Sequence, residues 1–291
     1  MVSVIIPVFE NPEGIQALLE ALASQTYPRD SFEVLVVDNG SRDATPATVA
    51  AFPPTAFSSL RLLEEKTVQG SYAARNKALG EAIGAVVAFT DADCRPVSQW
   101  LEAGVETLLA EKADLAGGRV SFTFAKENPN AAEKIDSRTN MQMEADILHR
   151  KITKTANLFV RKKVFEEIGF FNAGLRSGGD VEWTRKATTA GYLLVFASEA
   201  EILHPARSWR ELFIKQIRVG QGQIMQKRGR SSLVGKKKGK TGRSLRSLLR
   251  VDDERLFGKI GILLALMVAG GGTVVGRFLG LLNKKRKPSV E

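Results

Sequence analysis

Asp91 and Asp93 are the side chains of this sequence best placed to do chemistry. They stand one residue apart in AVVAFTDADCRP (85–96), where an apolar run meets two carboxylates before Cys94, Arg95 and Pro96 break it. A short apolar run bounded by polar residues reads as a strand buried on both faces, as in parallel sheets flanked by helices. The aspartates then lie at its carboxyl end, where open α/β sheets bind ligands. Side chains alternate along a strand, so Asp91 and Asp93 can point one way while Ala92 points the other. Two like charges this close resist joint ionisation. A hard divalent cation bridging to a ligand's phosphates relieves that with few protein ligands. The plainer alternative is a polar loop capping the next helix, since D-x-D alone is weakly specific.

Other reactive groups are few. One cysteine, Cys94, excludes a disulfide framework and a multi-cysteine zinc site. Two histidines, His149 and His204, are available for metal or base work. A Gly-rich loop in NAGLRSGGDVEW (172–183) delivers Asp180 and Glu182 to the start of a helix.

Alternating elements must position these groups. VSVIIPVF (2–9) reads as a buried strand, residues 14–23 as a helix, and FEVLVVD (32–38) as a second buried strand ending on Asp38-Asn39-Gly40-Ser41. Strand, helix and strand over some forty residues make a right-handed parallel βαβ unit. A helix near 44–51, a strand near 60–63 and a helix opened by Gly70-Ser71 lead to the central strand at 85–90, arguing a doubly wound α/β sheet. Beyond Pro96 the pattern predicts a helix, then a strand over LAGGRVSFTF (115–124) tightly bent at Gly117-Gly118. A polar helical stretch (131–151), a strand passing into a short helix (156–171), a helix from 181 and a strand over LLVFAS (193–198) complete this part.

The net charge of +10 is unevenly spread: residues 205–291 hold 21 Lys and Arg against 5 Asp and Glu, a surplus of +16, so the first 204 sum to −6. An acidic globular part thus carries a basic appendage, suited to nucleic acid or an anionic membrane surface. The appendage begins with a basic helix over 209–230 and a basic linker over 231–250. Residues 260–276 are apolar and uncharged, at the short end of a membrane-spanning helix, and could span the bilayer or lie in its interface. The alternative is a soluble docking helix. The start of the chain shows no export signal.

Five stretches in order, VSVIIPVF, VLVVDNGSRDAT, GSYAARNKAL, FTDADC and GGDVEWTRKATTAGY, resemble the family 2 glycosyltransferases over about residues 2–210. These are inverting sugar-nucleotide enzymes of the GT-A fold, Rossmann-like with a mostly parallel sheet flanked by helices. The basic tail and apolar segment are similar to the membrane-associating extensions of bacterial members. The resemblance implies three parts: a GT-A domain (1–210), a basic helix and linker (211–250), and an apolar membrane-associating helix with a basic tail (251–291).

It also implies roles. Asp38 resembles the nucleobase-binding carboxylate, with an Asx-turn residue as the alternative. Pro7, Val8, Phe9 and Glu10 resemble the first-strand edge that lines the base, Phe9 offering a stacking face. Arg75 resembles the Arg of an ARN motif that contacts base or diphosphate. Asp91 and Ala92 fall in the donor-binding D-x-D, with Asp93 as the direct ligand of Mg²⁺ or Mn²⁺ and His204 a second group near the metal. Asp180 matches the general base, although the usual Glu-Asp pair here reads Gly179-Asp180. Its alternative role is to cap the helix. Arg207, Gln216 and Arg218 fall where processive relatives carry Q-x-x-R-W; the missing Trp argues against a processive polysaccharide synthase.

The implied activity is metal-dependent inverting transfer of a sugar from a nucleoside-diphosphate sugar, UDP-linked first among them, to a hydroxyl acceptor. A lipid-linked acceptor, a role in cell-envelope glycan or glycolipid synthesis, an anionic membrane surface as partner and the cytoplasmic face of a bacterial cell membrane complete the expectation. The alternatives are a nucleic-acid-binding protein and a sugar-nucleotide sensor without transferase activity. Residues 227–250 interleave no aromatics with their positive charge, so nucleic acid is not an expected partner. A sensor would not need Asp180.

Overall fold

The computed structural model describes residues 1–231 together with residues 271 and 273. Its contacts divide the chain into a unit of Met1–Thr123 with Met141–Pro205, and a second of Phe124–Asn140 with the residues from Ala206 onward.

The first unit is built on one eight-stranded sheet. Val2–Val8 forms β1, Pro12–Ala23 α1, Phe32–Asp38 β2, Thr45–Ala50 α2, Ser59–Glu64 β3, Ser71–Glu81 α3 and Val86–Thr90 β4. β5 (Arg95–Pro96), α4 (Trp100–Ala110) and β6 (Leu115–Thr123) follow. Strands β3, β2, β1 and β4 lie side by side and parallel, the arrangement that strand–helix alternation demands. All seven residues of β2 are buried, which only a sheet covered on both faces permits. Val4, Ile6, Val34, Val36, Leu18, Leu22 and Trp100 are among the side chains of the central core.

The sheet continues through β7 (Asn157–Arg161), which runs against β4 and β6, and β8 (Leu194–Pro205), parallel to β6 and antiparallel to β5. β5 and β7 alone oppose the common direction, so the sheet is mostly parallel. Between β7 and β8 lie α7 (Lys162–Ile168) and α8 (Gly179–Thr189).

Gly117 and Gly118, expected at a tight bend, lie within β6, where the pairing with β8 shifts register between Gly118 and Arg119. Gly118 is needed for close approach, since a Cβ there would lie 2.2 Å from the Ala200 carbonyl oxygen. The final strand does not stop at Ser198. It runs on past the register shift to Pro205 and carries His204 at its end. The stretch 131–151 is two helices, α5 (Ala131–Thr139) and α6 (Met143–Arg150), because Asn140 leaves helical geometry and Met141 takes a positive φ of 52°.

The second unit pairs α5 with α9 (Trp209–Ser231) through Ala132, Ile135, Leu212 and Trp209. Asp136, fully buried, accepts from the Arg207 backbone N–H (3.0 Å) and guanidinium (3.1 Å), and Lys215 lies 3.6 Å away. Burial opposes its ionisation, yet Lys215 and Arg207 hold the carboxyl below its usual range. No described helix is long and apolar enough to cross a membrane. The linker 231–250, beyond its first residue, and the apolar segment 260–276, apart from residues 271 and 273, lie outside the described residues.

Candidate active site

The carboxyl ends of β1, β2 and β4 lie together, with Val8 opposite Asp38 and Ile5 opposite Phe89. These strand ends and the turns leaving them carry most of the expected site residues. Phe9 is 45% exposed, an open ring face beside half-buried Pro7 and buried Val8. Glu10 takes a positive φ of 47° and its N–H donates to Ser41 Oγ at 2.8 Å. The Asn11 N–H donates to Thr45 Oγ1 at 2.9 Å, so the first two turns brace each other.

Asp38 is buried and accepts the N–H groups of Gly40 (3.2 Å) and Ser41 (3.1 Å). This is the Asx turn of the alternative reading, and it fixes the carboxylate at the strand end. Its neighbour Asn39 donates to the carbonyls of Glu65 (2.6 Å) and Val68 (3.0 Å) and accepts from the Gly70 N–H (2.5 Å). Asn39 thereby ties the end of β2 to the start of α3.

β4 ends at Thr90, so Asp91 and Asp93 sit on a turn rather than on the strand, closed by the Cys94 N–H on the Asp91 carbonyl at 3.0 Å. The turn preserves the expected separation: Ala92 packs into the core while both aspartates remain partly exposed. Arg75 of α3 is almost wholly buried and donates from Nη2 to Asp91 Oδ1 at 2.5 Å. Burial raises the Asp91 carboxyl pKa, Arg75 opposes this, and the Asp93 charge adds to the rise. The Arg75 Nε is a buried donor without a partner among the described residues, an unmet demand for an acceptor beside Asp91.

Asp93 faces β8. His204, 1% exposed, places Nε2 3.6 Å from Asp93 Oδ2. Its Nδ1 lies 2.7 Å from the Pro205 carbonyl oxygen, which can only accept, so Nδ1 carries the proton and Nε2 can present a lone pair. A metal-ligating histidine is commonly oriented in this way. Asp93, Cys94 and His204 have ligand atoms within 4.8 Å of one another. Burial pushes the Cys94 thiol pKa up, with Asp93 and Asp91 adding to it, so sulfur stays protonated. The effective donors are a carboxylate oxygen and an imidazole nitrogen, a set that fits Mn²⁺ and, less well, Mg²⁺.

Asp180 lies in the first turn of α8, half-exposed. Its Oδ1 accepts the Tyr72 hydroxyl at 3.0 Å and the Val181 N–H at 2.8 Å. Glu182, in the same first turn, faces solvent. Gly179 has a local cause, because a Cβ there would lie 2.8 Å from Tyr72 Cε2. The aromatic ring fills the space that a second acidic side chain would need.

The expected residues thus gather at one end of the sheet, with Asp38, Asp91, Asp93, His204 and Asp180 each held by a named neighbour. Arg207 and Gln216 belong to the second unit, as does Arg218. Sequence reading missed Tyr72, Asn39 and the carbonyl of Pro205. Tyr72 and Asp180 are 108 positions apart, so no spacing rule could join them.

Known proteins share this fold and much of this sequence. Residues 3–178 match "Glycosyl transferase family 2". The chain is 52% identical over 223 residues to glycosyltransferase AglE of Haloferax volcanii, covering 77% of this chain and 73% of that protein. It is 33% identical over 109 residues to an Escherichia coli enzyme, UDP-Glc:alpha-D-GlcNAc-diphosphoundecaprenol beta-1,3-glucosyltransferase WfgD, covering 38% of this chain and 41% of that one. Among solved structures, the mannosyltransferase PcManGT from Pyrobaculum calidifontis, in complex with GDP-Man and Mn²⁺, superposes with a TM-score of 0.64 at 23% identity, covering 99% of this chain and 81% of that one. With the family model matching residues 3–178, more than half of this chain, and the fold shared with its structural neighbours, the chain belongs to glycosyl transferase family 2 and is a glycosyltransferase of the GT-A fold.

Proposed function

We propose that this enzyme is a metal-dependent inverting glycosyltransferase that takes its sugar from a nucleoside-diphosphate sugar and uses Asp180 as general base. One observation carries the reading: Tyr72 and Arg75, three residues apart on one face of α3, hold Asp180 and Asp91 respectively. The base candidate and the diphosphate-side acid are therefore positioned by the same helix.

The donor's base would rest between Phe9 and the Asp38 turn, lined by Pro7, Val8 and Glu10. Its diphosphate would meet Arg75, whose unmatched Nε calls for an anionic acceptor, beside Asp91 and Ala92. Asp93 and His204 would hold Mn²⁺ or Mg²⁺, which supplies positive charge opposite the departing diphosphate. The acceptor hydroxyl attacks the anomeric carbon from the side opposite the leaving group and gives its proton to the Asp180 carboxylate. A carbon–oxygen bond to the acceptor forms as the bond to the diphosphate breaks, its electron pair leaving with the phosphate oxygen. Configuration at the anomeric carbon inverts.

A UDP-sugar and a lipid-linked acceptor are the proposed substrates, supported by the WfgD name, which specifies UDP-Glc and a diphosphoundecaprenol acceptor. We assign residues 1–210 to catalysis, 211–250 to a basic helix and linker, and 251–291 to contact with an anionic membrane surface on its cytoplasmic face, in support of envelope glycan or glycolipid synthesis. Most of the +16 surplus falls in residues 205–250, so the basic helix and linker would add attraction to an anionic surface, and the uncharged apolar stretch 260–276 supports the assignment of 251–291.

The test is calorimetric titration with UDP, GDP, CDP and dTDP, each with and without Mn²⁺. Mn²⁺-enhanced binding of UDP is expected. Equal binding with and without metal overturns the metal reading, and preference for GDP overturns the uridine one. Asp180→Asn should keep UDP binding and lose turnover by ~10²–10⁴-fold; undiminished turnover removes Asp180 as the base. Ending the chain after Arg250 should abolish sedimentation with anionic vesicles at high salt, where attraction to the remaining basic linker is screened, and retained sedimentation refutes the membrane assignment.

A further inference from the structure

We infer that Tyr72 is a positioning residue for Asp180, and that Gly179 is the space that admits it. The inference rests on the reading of Asp180 as the base and adds the group that aims it.

Both hydrogen bonds to the Asp180 carboxylate fall on Oδ1, from the Tyr72 hydroxyl and the Val181 N–H. Oδ2 receives none from the described residues, so the carboxylate is pinned through one oxygen and presents the other. A base needs one oxygen in fixed reach of the acceptor hydroxyl, and a side chain anchored at its partner oxygen provides that.

The tyrosine is itself held from several sides. Its ring is 5% exposed, lies 5.8 Å from the Phe171 ring, and has the Arg75 guanidinium carbon 5.6 Å from its centroid. Gly179 lies against the ring edge, close enough that a Cβ would sit 2.8 Å from Cε2 and 2.9 Å from Cδ2. A ring confined in this way fixes where its hydroxyl points. Burial, and then the Asp180 charge, raise the phenol pKa, so Tyr72 donates and does not compete as the base. Gly179-Asp180 therefore replaces one orienting neighbour with another: the support comes from α3 across the site instead of from the preceding residue.

The experiment is a double-mutant cycle on release of nucleoside diphosphate, with UDP-Glc, UDP-GlcNAc and GDP-Man as probe donors. Tyr72→Phe keeps the ring and removes the hydroxyl. It should lower kcat about tenfold, the loss of one hydrogen bond to a charged group, with donor KM within about twofold. In an Asp180→Asn background the same change should cost nothing further, because the two groups act as a unit. A Tyr72→Phe enzyme with wild-type kcat, or one whose full loss persists in the Asp180→Asn background, overturns the inference. Wild-type turnover by Asp180→Asn alone would instead overturn the base reading, and this inference with it.

A second measurement does not depend on turnover. The chain has three tyrosines, so protein labelled with ¹³C at tyrosine Cζ gives a small set of resonances in which Tyr72 is identified by its loss in Tyr72→Phe. Asp180→Ala should move that resonance upfield as the charged acceptor is removed. An unmoved resonance overturns the contact on which the inference stands.

Discussion

Asn157 offers the sharpest test of how the sheet places Asp93 and His204. It is fully buried at the start of β7, and its side chain makes three hydrogen bonds to three other elements. Its Nδ2 donates to the carbonyls of Arg119 and Ala200, each at 2.8 Å, and its Oδ1 accepts from Trp100 Nε1 at 2.9 Å. These bonds lie where β6 and β8 slip register between Gly118 and Arg119, upstream of the pairing of Phe122 with His204. Asn157→Ala leaves the Trp100 donor buried and unmatched, costing about 1–3 kcal/mol, and removes two further bonds at about 0.5–1.5 kcal/mol each. The central expectation is about 4 kcal/mol, which for a unit of this size lowers Tm by about 8–16 °C. Scanning calorimetry reads the first effect. Titration of UDP with and without Mn²⁺ reads the second, in which the metal's enhancement of binding shrinks because His204 is no longer held opposite Asp93. A fall in Tm below about 3 °C, under ~1–2 kcal/mol for a protein of this size, would refute the claim that this network fixes the slip. A full fall in Tm with unchanged Mn²⁺ enhancement would refute its link to the site.

Asp93→Ala should abolish Mn²⁺ enhancement of UDP binding while leaving metal-free binding within about threefold, since Arg75 and Asp91 remain paired; enhancement that survives in calorimetry removes Asp93 as a ligand. Asp136→Asn should destabilise the α5–α9 pair at neutral pH, and the difference from wild type should shrink on acidification. Its folded pKa is depressed, so its contribution is present above the ordinary carboxylate range of about 4 and disappears as pH falls through the lower folded value. Calorimetric scans from pH 7 to about 3 that keep a constant gap would contradict the Lys215 and Arg207 assignment.

The legible parts of the sequence were those governed by local pattern. The apolar runs of β1, β2 and β4 are readable because a strand buried on both faces is mostly apolar, and its buried polar side chains are paired, as Ser3 donates to Glu33 at 2.6 Å. The acidic pair after such a run marks the ligand end of the sheet without knowledge of any partner. What escaped depends on contacts distant in sequence. The turn at Asp91–Cys94 continues the same polar composition that a strand end would show. Met141 adopts its positive φ without a glycine to announce it. β8 outlasts its apolar stretch because the register slip, stabilised by Asn157, renews its pairing with β6. Gly179 reads in sequence as a missing acid, and only the ring of Tyr72 explains it.

The same contrast accounts for α3, whose sequence makes an unpromising amphipathic helix. The buried face that leucine would ordinarily fill carries Tyr72 and Arg75. Burying them is unfavourable unless their polar atoms are matched, and α3 with its flanking residues is bonded at several separate points of the site. Gly70, ahead of the helix, is bound by Asn39 beside the Asp38 turn. Arg75 binds Asp91, and Tyr72 binds Asp180. Asn76 exchanges two hydrogen bonds with the backbone of Phe171, at 2.8 and 3.1 Å, in the segment that leads to Asp180. A helix chosen for stability alone would not bury an arginine with an unmatched Nε. Its departure from the apolar pattern is therefore evidence for function: α3 connects the Asp38 turn, Asp91 and Asp180, so a shift of this helix would disturb all three together.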